Sequence, residues 1–389
     1  MVEQVAALLH QLVAFPSVSR TPNREVLGWL TERLESLGAT VRVVEGAHAG
    51  RANLIATIGP RGAGGVLLSG HTDVVPPGDG WDSDPWSLTR RGDRLVGRGA
   101  ADMKGFFAAT IHALAELPET TLTAPVHLVA SYDEEIGCQG VRDVLPDLAR
   151  DPLVRPEIVV IGEPTMMRPR HSHLGKELHR LTVTAPEAHS SRAATAPSAI
   201  TAAAELVGVL AEIQALAPAG ADPAVPPYSL NCGTIRGGTA PNVIAGSCTV
   251  EFEVRHDTVH DPGVVLAPFV AAVARIDGRL RAVGGTATCE RLSRYPALAV
   301  DAGAPAFVRA ARLADAGLAI ALGFGTEGGL IAEALDAPVM ICGPGDIADA
   351  HRPNESVSTQ QLERCVHFVR ALIRDFCTME GAATGAKSA

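Results

Sequence analysis

Short islands of histidine and carboxylate residues recur along this 389-residue chain. Each island offers an imidazole nitrogen or a carboxylate oxygen, the groups that hold divalent cations in proteins. The five islands are Gly70-His71-Thr72-Asp73, Ala101-Asp102-Met103-Lys104-Gly105, Asp133-Glu134-Glu135, Gly162-Glu163-Pro164 and Ala350-His351-Arg352-Pro353. If the fold brings them together, their composition predicts hydrolysis at a two-metal centre.

Three of the islands begin within three residues of the end of an apolar run that is typical of a buried strand. Residues 66–68 precede His71, residues 126–130 precede the acidic trio, and residues 158–161 precede Glu163. Side chains just past the ends of central strands meet at one edge of an α/β sheet, where binding sites form. Carboxylates gathered there would repel one another unless a cation held them, so the predicted clustering itself favours a metal site.

Each island, taken singly, also has an ordinary structural interpretation. His71 and Asp73 suit a metal ligand and the acceptor of its other N–H, but also a surface histidine and a turn. Asp102 can bridge two cations or cap the helix that follows it. One of Glu134 and Glu135 can bind metal while the other takes a proton from water. The residues alone do not say which does which.

Periodicity predicts the elements that position the islands. Helical spacing occurs at 2–14, 25–37, 104–117 and 141–149, and further strands are predicted at 40–44, 54–58 and 339–342. Their alternation indicates a mostly parallel sheet flanked by helices. After residue 169 the pattern changes to half-exposed strands at 179–184, 230–235 and 246–255, with helices at 197–216 and 264–276. This second pattern indicates a small α+β unit.

We therefore expect an α/β catalytic domain that is interrupted by an insertion. The catalytic domain comprises residues 1–174 and 291–389, and the inserted α+β lid or dimerisation domain comprises residues 175–290. Open edges of the inserted strands favour pairing across a two-fold axis, and therefore a homodimer. The small, polar tail 381–389 is expected to be disordered.

Composition argues against several classes of protein. The net charge is −10 and the basic residues are dispersed, which disfavours nucleic acid as a partner. No apolar run is long enough to span a bilayer, and Glu3 stands where a signal peptide would carry a basic residue, so we expect a cytoplasmic protein. The seven cysteines are widely spaced, which disfavours both a disulfide framework and a thiolate zinc site.

Taken in order, the motifs GHTDVVP, GAADMKG, DEE, GEP and AHRPNE resemble those of the di-zinc aminoacylase/carboxypeptidase family of metallopeptidases. The resemblance covers nearly the whole chain. Within the family, residues 99–107 are most similar to the acetylornithine deacetylases. The resemblance implies a zinc-exopeptidase-like fold and two divalent metal ions, with Zn²⁺ favoured and Co²⁺ as an alternative.

The resemblance also implies a role for each candidate ligand. Asp102 would bridge the two metals. His71 and Glu163 would complete one site, and Glu135 and His351 would complete the other.

Further roles follow from the same resemblance. Glu134 would be the general base, and Asp73 would orient the neighbouring His71. His189, in a His-Ser-Ser motif, would reach the active site of the partner subunit and stabilise the oxyanion. The residues expected to bind substrate are Asn242, Arg255, Thr326 and Glu327, the last by pairing with an amino group.

The implied function is removal of the acyl group from an N-acyl amino acid. N2-acetyl-L-ornithine, a precursor in arginine biosynthesis, is the favoured substrate. The alternatives are a deacylase of another N-acyl amino acid and a succinyl-diaminopimelate desuccinylase. A different class, a non-catalytic metal- or peptide-binding protein on the same scaffold, would be indicated by loss of Glu134 or Glu135, and both are present.

Overall fold

Helices and strands alternate along most of the chain in the computed structural model, which describes residues 1–117, 122–220, 225–314, 317 and 321–379. The helices α1 to α10 are Val2–Val13, Arg24–Ser36, Lys104–Ala115, Val141–Arg150, Ala199–Ala215, Pro262–Val265, Ala267–Arg281, Pro305–Leu313, Gly328–Ala334 and Thr359–Cys377. The strands β1 to β17 are Thr40–Glu45, Ala52–Ile58, Val66–His71, Thr89–Arg91, Arg94–Val96, Val126–Ser131, Ile158–Pro164, Ser172–His173, Gly175–Thr184, Ala188–His189, Tyr228–Gly237, Val243–Ile244, Ser247–His256, Thr286–Tyr295, Leu298–Ala299, Val339–Gly343 and Ser356–Ser358.

The chain forms two compact units. The first comprises Met1–Ser172, Val300–Ile320 and Thr326–Ala389, and the second comprises His173–Ala299 and Ala321–Gly325. The sequence predicts an insertion at 175–290, whereas the second unit of the structure extends to Ala299. It also includes the short segment Ala321–Gly325, which no sequence pattern indicated.

The first unit contains a six-stranded sheet with the strand order β1-β2-β6-β3-β7-β16. The strands β6, β3, β7 and β16 run parallel, whereas β1 pairs antiparallel with β2, and β2 with β6. Both β3 and β6 are buried along their whole length, as expected for strands covered on both faces. The predicted, mostly parallel sheet is confirmed. The carboxyl ends of its adjacent parallel strands β6, β3, β7 and β16 lie along one edge of the sheet.

Helix α3 is the buried helix of the first unit. It lies against α1 and α10 and also contacts β3, and its residues are buried from Lys104 to Leu114. Helix α10 presents apolar residues at intervals of three and four, including Leu362, Val366, Val369 and Ile373, which all lie on one face. This packing fixes where α3 begins, and the loop before α3 carries Asp102.

Most predicted helices agree with the structure to within two residues at each end. One predicted helix, 264–276, is instead two helices, α6 and α7. Pro268 lies in the first turn of α7. Proline lacks the N–H that a helix interior requires but is accepted in a first turn, so the helix begins anew just before it. The predicted disordered tail lies outside the described residues.

The second unit contains a four-stranded antiparallel sheet with the order β11-β13-β9-β14. Burial alternates along β13, and the buried side chains pack against α5 and α7. Leu181 and Phe252 of the sheet and Leu206, Phe269 and Ile276 of the helices belong to this core. The predicted α+β arrangement, an antiparallel sheet packed against helices, is confirmed.

The cysteines are all in the described part of the chain, and none of the seven forms a disulfide. Five of them are buried, as expected for small apolar side chains: Cys138, Cys248, Cys342, Cys365 and Cys377. Among the helices that the structure describes, none combines the length and apolar character needed to cross a membrane.

Candidate metal centre

Side chains from three neighbouring strands meet at the carboxyl edge of the parallel sheet. His71 is the last residue of β3, and Glu163 lies near the end of β7. Glu134 and Glu135 follow β6 after a short turn, in which Asp133 adopts a left-handed conformation with a φ of 51°. Because β6, β3 and β7 are adjacent and parallel, these residues lie side by side.

The first cluster contains His71, Asp102 and Glu163, all of them buried. The Nε2 atom of His71 lies 3.2 Å from Oδ1 of Asp102 and 4.0 Å from Oε1 of Glu163. The three potential ligand atoms lie within 4.8 Å of one another, so one metal ion can contact all of them.

The second cluster contains Asp102, Glu135 and His351. The Nε2 atom of His351 lies 3.2 Å from Oδ2 of Asp102 and 2.9 Å from Oε2 of Glu135. His351 is half exposed, whereas both carboxylates are nearly buried. These ligand atoms also lie within 4.8 Å of one another.

Asp102 is common to both clusters, with one carboxylate oxygen directed to each. Helix α3 begins at Lys104, its N-cap residue is Met103, and in the described chain no side chain caps it. The alternative role of Asp102 as a helix cap is therefore excluded. The combined donor set of two imidazoles and three carboxylates, with no sulfur, fits divalent ions such as Zn²⁺ or Co²⁺.

Glu134 lies beside the two clusters and, among the described residues, is a member of neither. The Cys138 thiol donates to its Oε1 over 3.1 Å. Burial raises the pKa of Glu134 to about 8, and the negative charge of neighbouring Glu135 adds to the increase. The structure thus separates two adjacent glutamates that the sequence could not: Glu135 faces His351, and Glu134 keeps its carboxylate outside both ligand groups.

Asp73 connects the first cluster to the Glu134 turn. Its backbone carbonyl, rather than its carboxylate, makes the short contact with Nδ1 of His71, at 2.8 Å against 3.6 Å. The carboxylate accepts the N–H of Glu134 at 3.0 Å and the hydroxyl proton of Ser19 at 2.7 Å. Asp73 therefore contacts both a candidate metal ligand, His71, and the candidate base, Glu134.

The closely spaced carboxylates shift one another's pKa values. Burial raises the pKa of Glu135 to about 7 and that of Glu163 well above its ordinary value, and the charge of Asp102 increases both shifts. Although burial opposes it, hydrogen bonds from His351 and His71 lower the pKa of Asp102. Hydrogen bonds to Asp102 and Glu135 raise the pKa of His351 to about 10. Cations bound here would allow all of the carboxylates to be ionised together.

These shifts predict how stability depends on pH when metal is removed. The folded-state pKa values of Glu134 and Glu135, about 8 and about 7, lie above the ordinary value of 4.5. Between pH 4.5 and these raised values, the folded protein retains protons that the unfolded chain has already released. The free energy of unfolding therefore falls as pH rises. His351 acts in the same direction between 6.5 and about 10. Cations displace such protons, so stabilisation by metal should increase with pH.

Thermal unfolding checks this expectation. The melting temperature is measured with a chelator and with saturating Zn²⁺ at several pH values between about 5 and 8. We expect the difference between the two temperatures to widen as pH rises. In the control variant Glu134→Gln/Glu135→Gln, the chelated protein should show a flatter dependence on pH. A difference that narrows with rising pH would contradict the expectation.

Three of the predicted functional residues lie in the second unit. His189 is exposed, and the pairing of β10 with β12 sets it opposite Val243, next to the exposed Asn242. Arg255 is half buried on β13, where its Nε donates to Oε1 of Glu253 at 3.0 Å. The roles of these residues in binding or catalysis stay predictions.

The two remaining candidates for substrate binding are buried. Thr326 accepts the N–H of Gly328 at 3.0 Å. Glu327 is 1% exposed, and its two oxygens accept the hydroxyl protons of Ser69, at 2.5 Å, and Ser131, at 2.7 Å. The expectation that Glu327 pairs with a substrate amino group stays a prediction. In this structure Glu327 connects the ends of β3 and β6.

Sequence reasoning did not single out three residues in and around the centre. Cys138 contacts Glu134, Glu355 accepts the backbone N–H of Asp102, and Arg98 forms a buried ion pair with Glu355. Glu355 closes the motif at 350–355, and Arg98 lies in the glycine-rich run before Asp102. The positions of Arg98 and Glu355 within motifs could therefore have drawn attention to them. The sequence does not show that they are buried or that they pair with each other.

Comparisons with known proteins show what the chain is similar to. The model of Peptidase family M20/M25/M40 matches residues 67–375, which include all of the candidate metal ligands. The chain is 34% identical over 393 residues to Acetylornithine deacetylase of Proteus mirabilis (strain HI4320), covering 96% of this chain and 97% of that protein.

Solved structures show the same fold at lower identity. The M20 family metallo-carboxypeptidase Sso-CP2 from Sulfolobus solfataricus superposes with a TM-score of 0.77 at 16% identity, over 95% of this chain and 98% of that one. Aminopeptidase PepT from Bacillus cereus ATCC 10987 gives a TM-score of 0.76 at 21% identity, over 96% and 98%. The predicted fold class is confirmed.

Proposed function

We propose that this chain, which belongs to peptidase family M20/M25/M40 and is a metal-dependent hydrolase, converts N2-acetyl-L-ornithine to L-ornithine and acetate. The observation that carries the proposal is the pair of metal-type clusters that share Asp102, with Glu134 beside them and outside both. The choice of substrate is supported by the similarity to the Proteus mirabilis deacetylase over nearly the full length. This activity would serve arginine biosynthesis.

We assign one divalent cation, with Zn²⁺ favoured, to each cluster. The first would be held by His71, Asp102 and Glu163, and the second by Asp102, Glu135 and His351. When bound, the two cations lower the pKa of a water molecule and polarise the amide carbonyl of the substrate. Asp102 would contribute to both sites, since one of its oxygens faces each cluster.

Glu134 acts as the general base in this proposal. Its carboxylate takes a proton from the attacking water and passes it to the leaving nitrogen as the amide C–N bond breaks. Acetate and the free amine are the products. With cations bound, the pKa of Glu134 would fall from its raised value, and its carboxylate would be ionised at neutral pH. The contacts with Cys138 and Asp73 keep it oriented.

We further propose a cytoplasmic homodimer in which His189 of the partner subunit donates to the developing oxyanion. Two observations support this arrangement. His189 is exposed. The antiparallel sheet of the second unit also has two edge strands, β11 and β14, which can pair with another copy.

A panel of N-acyl amino acids tests the substrate. We expect kcat/KM to be highest for N2-acetyl-L-ornithine, lower for other N-acetyl amino acids, and lowest for N-succinyl-diaminopimelate. The assay uses protein loaded with Zn²⁺ or Co²⁺, and Glu134→Gln protein prepared in parallel measures contaminating activity. Faster hydrolysis of a succinyl substrate, or of a different acetyl amino acid, would contradict the proposed substrate. It would not contradict the proposed metal centre.

A further inference from the structure

A buried ion pair lies behind the residue that the two clusters share. The guanidinium of Arg98 and the carboxylate of Glu355 are each 1% exposed, and Nη1 lies 2.6 Å from Oε2. Removing two charges from water costs several kcal/mol per ion, on the order of what their attraction returns. Such a pair adds little net stability, so its location calls for another explanation.

The second oxygen of Glu355 reaches the backbone of the metal-binding loop. Its Oε1 accepts the N–H of Ala101 and the N–H of Asp102, each at 3.0 Å. The backbone carbonyl of Glu355 also accepts the N–H of Gly97 at 2.9 Å. The loop is thereby held at both ends, directly before Asp102 directs its carboxylate at His71 and His351.

Arg98 in turn is held in place by several contacts. Its Nη2 donates to the carbonyls of Pro77, at 3.1 Å, and Pro76, at 3.4 Å. Its guanidinium lies 5.2 Å from the ring centre of Trp81, a cation–π distance. Glu355 is therefore oriented by a fixed partner.

We propose that Glu355 and Arg98 are positioning residues that aim the carboxylate of Asp102 at both metal ions. The inference rests on the proposed metal centre. It adds that metal affinity depends on two residues which themselves contact no metal.

The chain gives a reason why Asp102 needs such an anchor. The preceding segment contains Gly97 and Gly99, and Gly99 has a φ of 80°, so the backbone there has more conformational freedom than usual. Asp102 also stands just before α3, where an aspartate favours capping the helix. By holding the N–H of Asp102, Glu355 fixes the backbone from which its carboxylate extends toward the clusters.

The charge of Arg98 is equally necessary. Without it, Glu355 would place another uncompensated carboxylate next to Asp102, in a region already crowded with acids. Glutamine at position 355 could still accept the two backbone N–H groups through its oxygen. Its NH₂ group would then face the guanidinium of Arg98, donor against donor. The double variant Arg98→Met/Glu355→Gln removes this conflict and keeps the acceptor.

The experiment measures metal binding directly. Chelator competition gives the affinity for two Co²⁺ ions, and the visible absorption spectrum at saturation reports the coordination geometry. We expect Glu355→Gln to weaken binding by about 10–100-fold and to change the spectrum, as loss of residues that orient metal ligands does elsewhere. The double variant should recover part of the affinity. Arg98→Lys, which keeps the charge but loses the guanidinium fork, should weaken binding less and keeps the test available if Glu355→Gln does not fold.

A matched control separates positioning from general destabilisation. Asp375→Asn breaks the ion pair between Arg309 and Asp375, at 2.9 Å between α8 and α10. It should lower the melting temperature and leave Co²⁺ affinity and spectrum unchanged.

Three outcomes would overturn the inference. One is parental affinity and spectrum in Glu355→Gln or, if that variant does not fold, in Arg98→Lys. Another is an equal loss of affinity in the Asp375→Asn control, which would make the effect one of stability alone. Fewer than two Co²⁺ ions bound by the parent protein would overturn the proposed metal centre, and with it this inference.

Discussion

Replacement of Glu134 by glutamine is expected to abolish nearly all turnover while the protein still binds two cations. Glutamine has nearly the same shape as glutamate but cannot take a proton from water. Removal of a general base typically costs about 10²–10⁴-fold in rate. Metal binding should survive because Glu134 belongs to neither ligand cluster in the described chain. The measurements are kcat with N2-acetyl-L-ornithine and bound metal per subunit.

The adjacent residue provides the matched control. Glu135→Gln makes the same chemical change one position along the chain, but at a residue whose carboxylate lies 2.9 Å from Nε2 of His351. We expect that variant to lose affinity for at least one cation. Activity of Glu134→Gln within a few-fold of the parent would contradict its assignment as the base, and loss of metal from Glu134→Gln would identify it as a ligand.

Mixing two inactive variants is expected to restore activity if His189 acts across the dimer interface. His189→Ala alone should lower kcat by about 10²–10³-fold, the usual cost of losing an oxyanion donor. When it is mixed with Glu134→Gln, a heterodimer has one site in which both groups are intact. Random exchange should then return about a quarter of the parental activity, since half of the dimers are mixed and each has one such site.

Two controls accompany the mixing experiment. His10→Ala, at another exposed histidine, should be fully active and should exchange subunits equally well. Subunit exchange is followed by mass spectrometry or by fluorescent labels. If subunits exchange and no activity returns, the proposed action of His189 in trans is wrong. A protein that remains monomeric at assay concentration would contradict the proposed dimer as well.

The sequence by itself determined the arrangement of the sheet edge. Largely apolar runs before His71, before Asp133 and before Glu163 predict buried parallel strands, because such strands are covered on both faces. The carboxyl ends of neighbouring parallel strands meet, so the polar residues that follow them must converge. The strands of the second unit could be predicted equally well. In a sheet with one exposed face, successive side chains alternate between buried and exposed with a period of two residues.

Only the tertiary structure decided how individual side chains are used. Glu134 and Glu135 are chemically identical in the sequence, and what distinguishes them is that Glu135 faces His351, a residue distant in the chain. Asp102 favours a helix cap locally, but two histidines from other segments engage its carboxylate.

Glu327 illustrates the same limit, because burial and partners depend on long-range packing. The sequence alone predicts that Glu327 is an acidic residue free to bind a substrate. In the fold its oxygens are engaged by Ser69 and Ser131, 258 and 196 residues away. Arg98 and Glu355 are separated by 257 residues, so no local pattern reveals that they form a buried pair. Sequence periodicity reports which face of an element is buried, whereas the contacts of each polar group are set by segments that meet only in the folded chain.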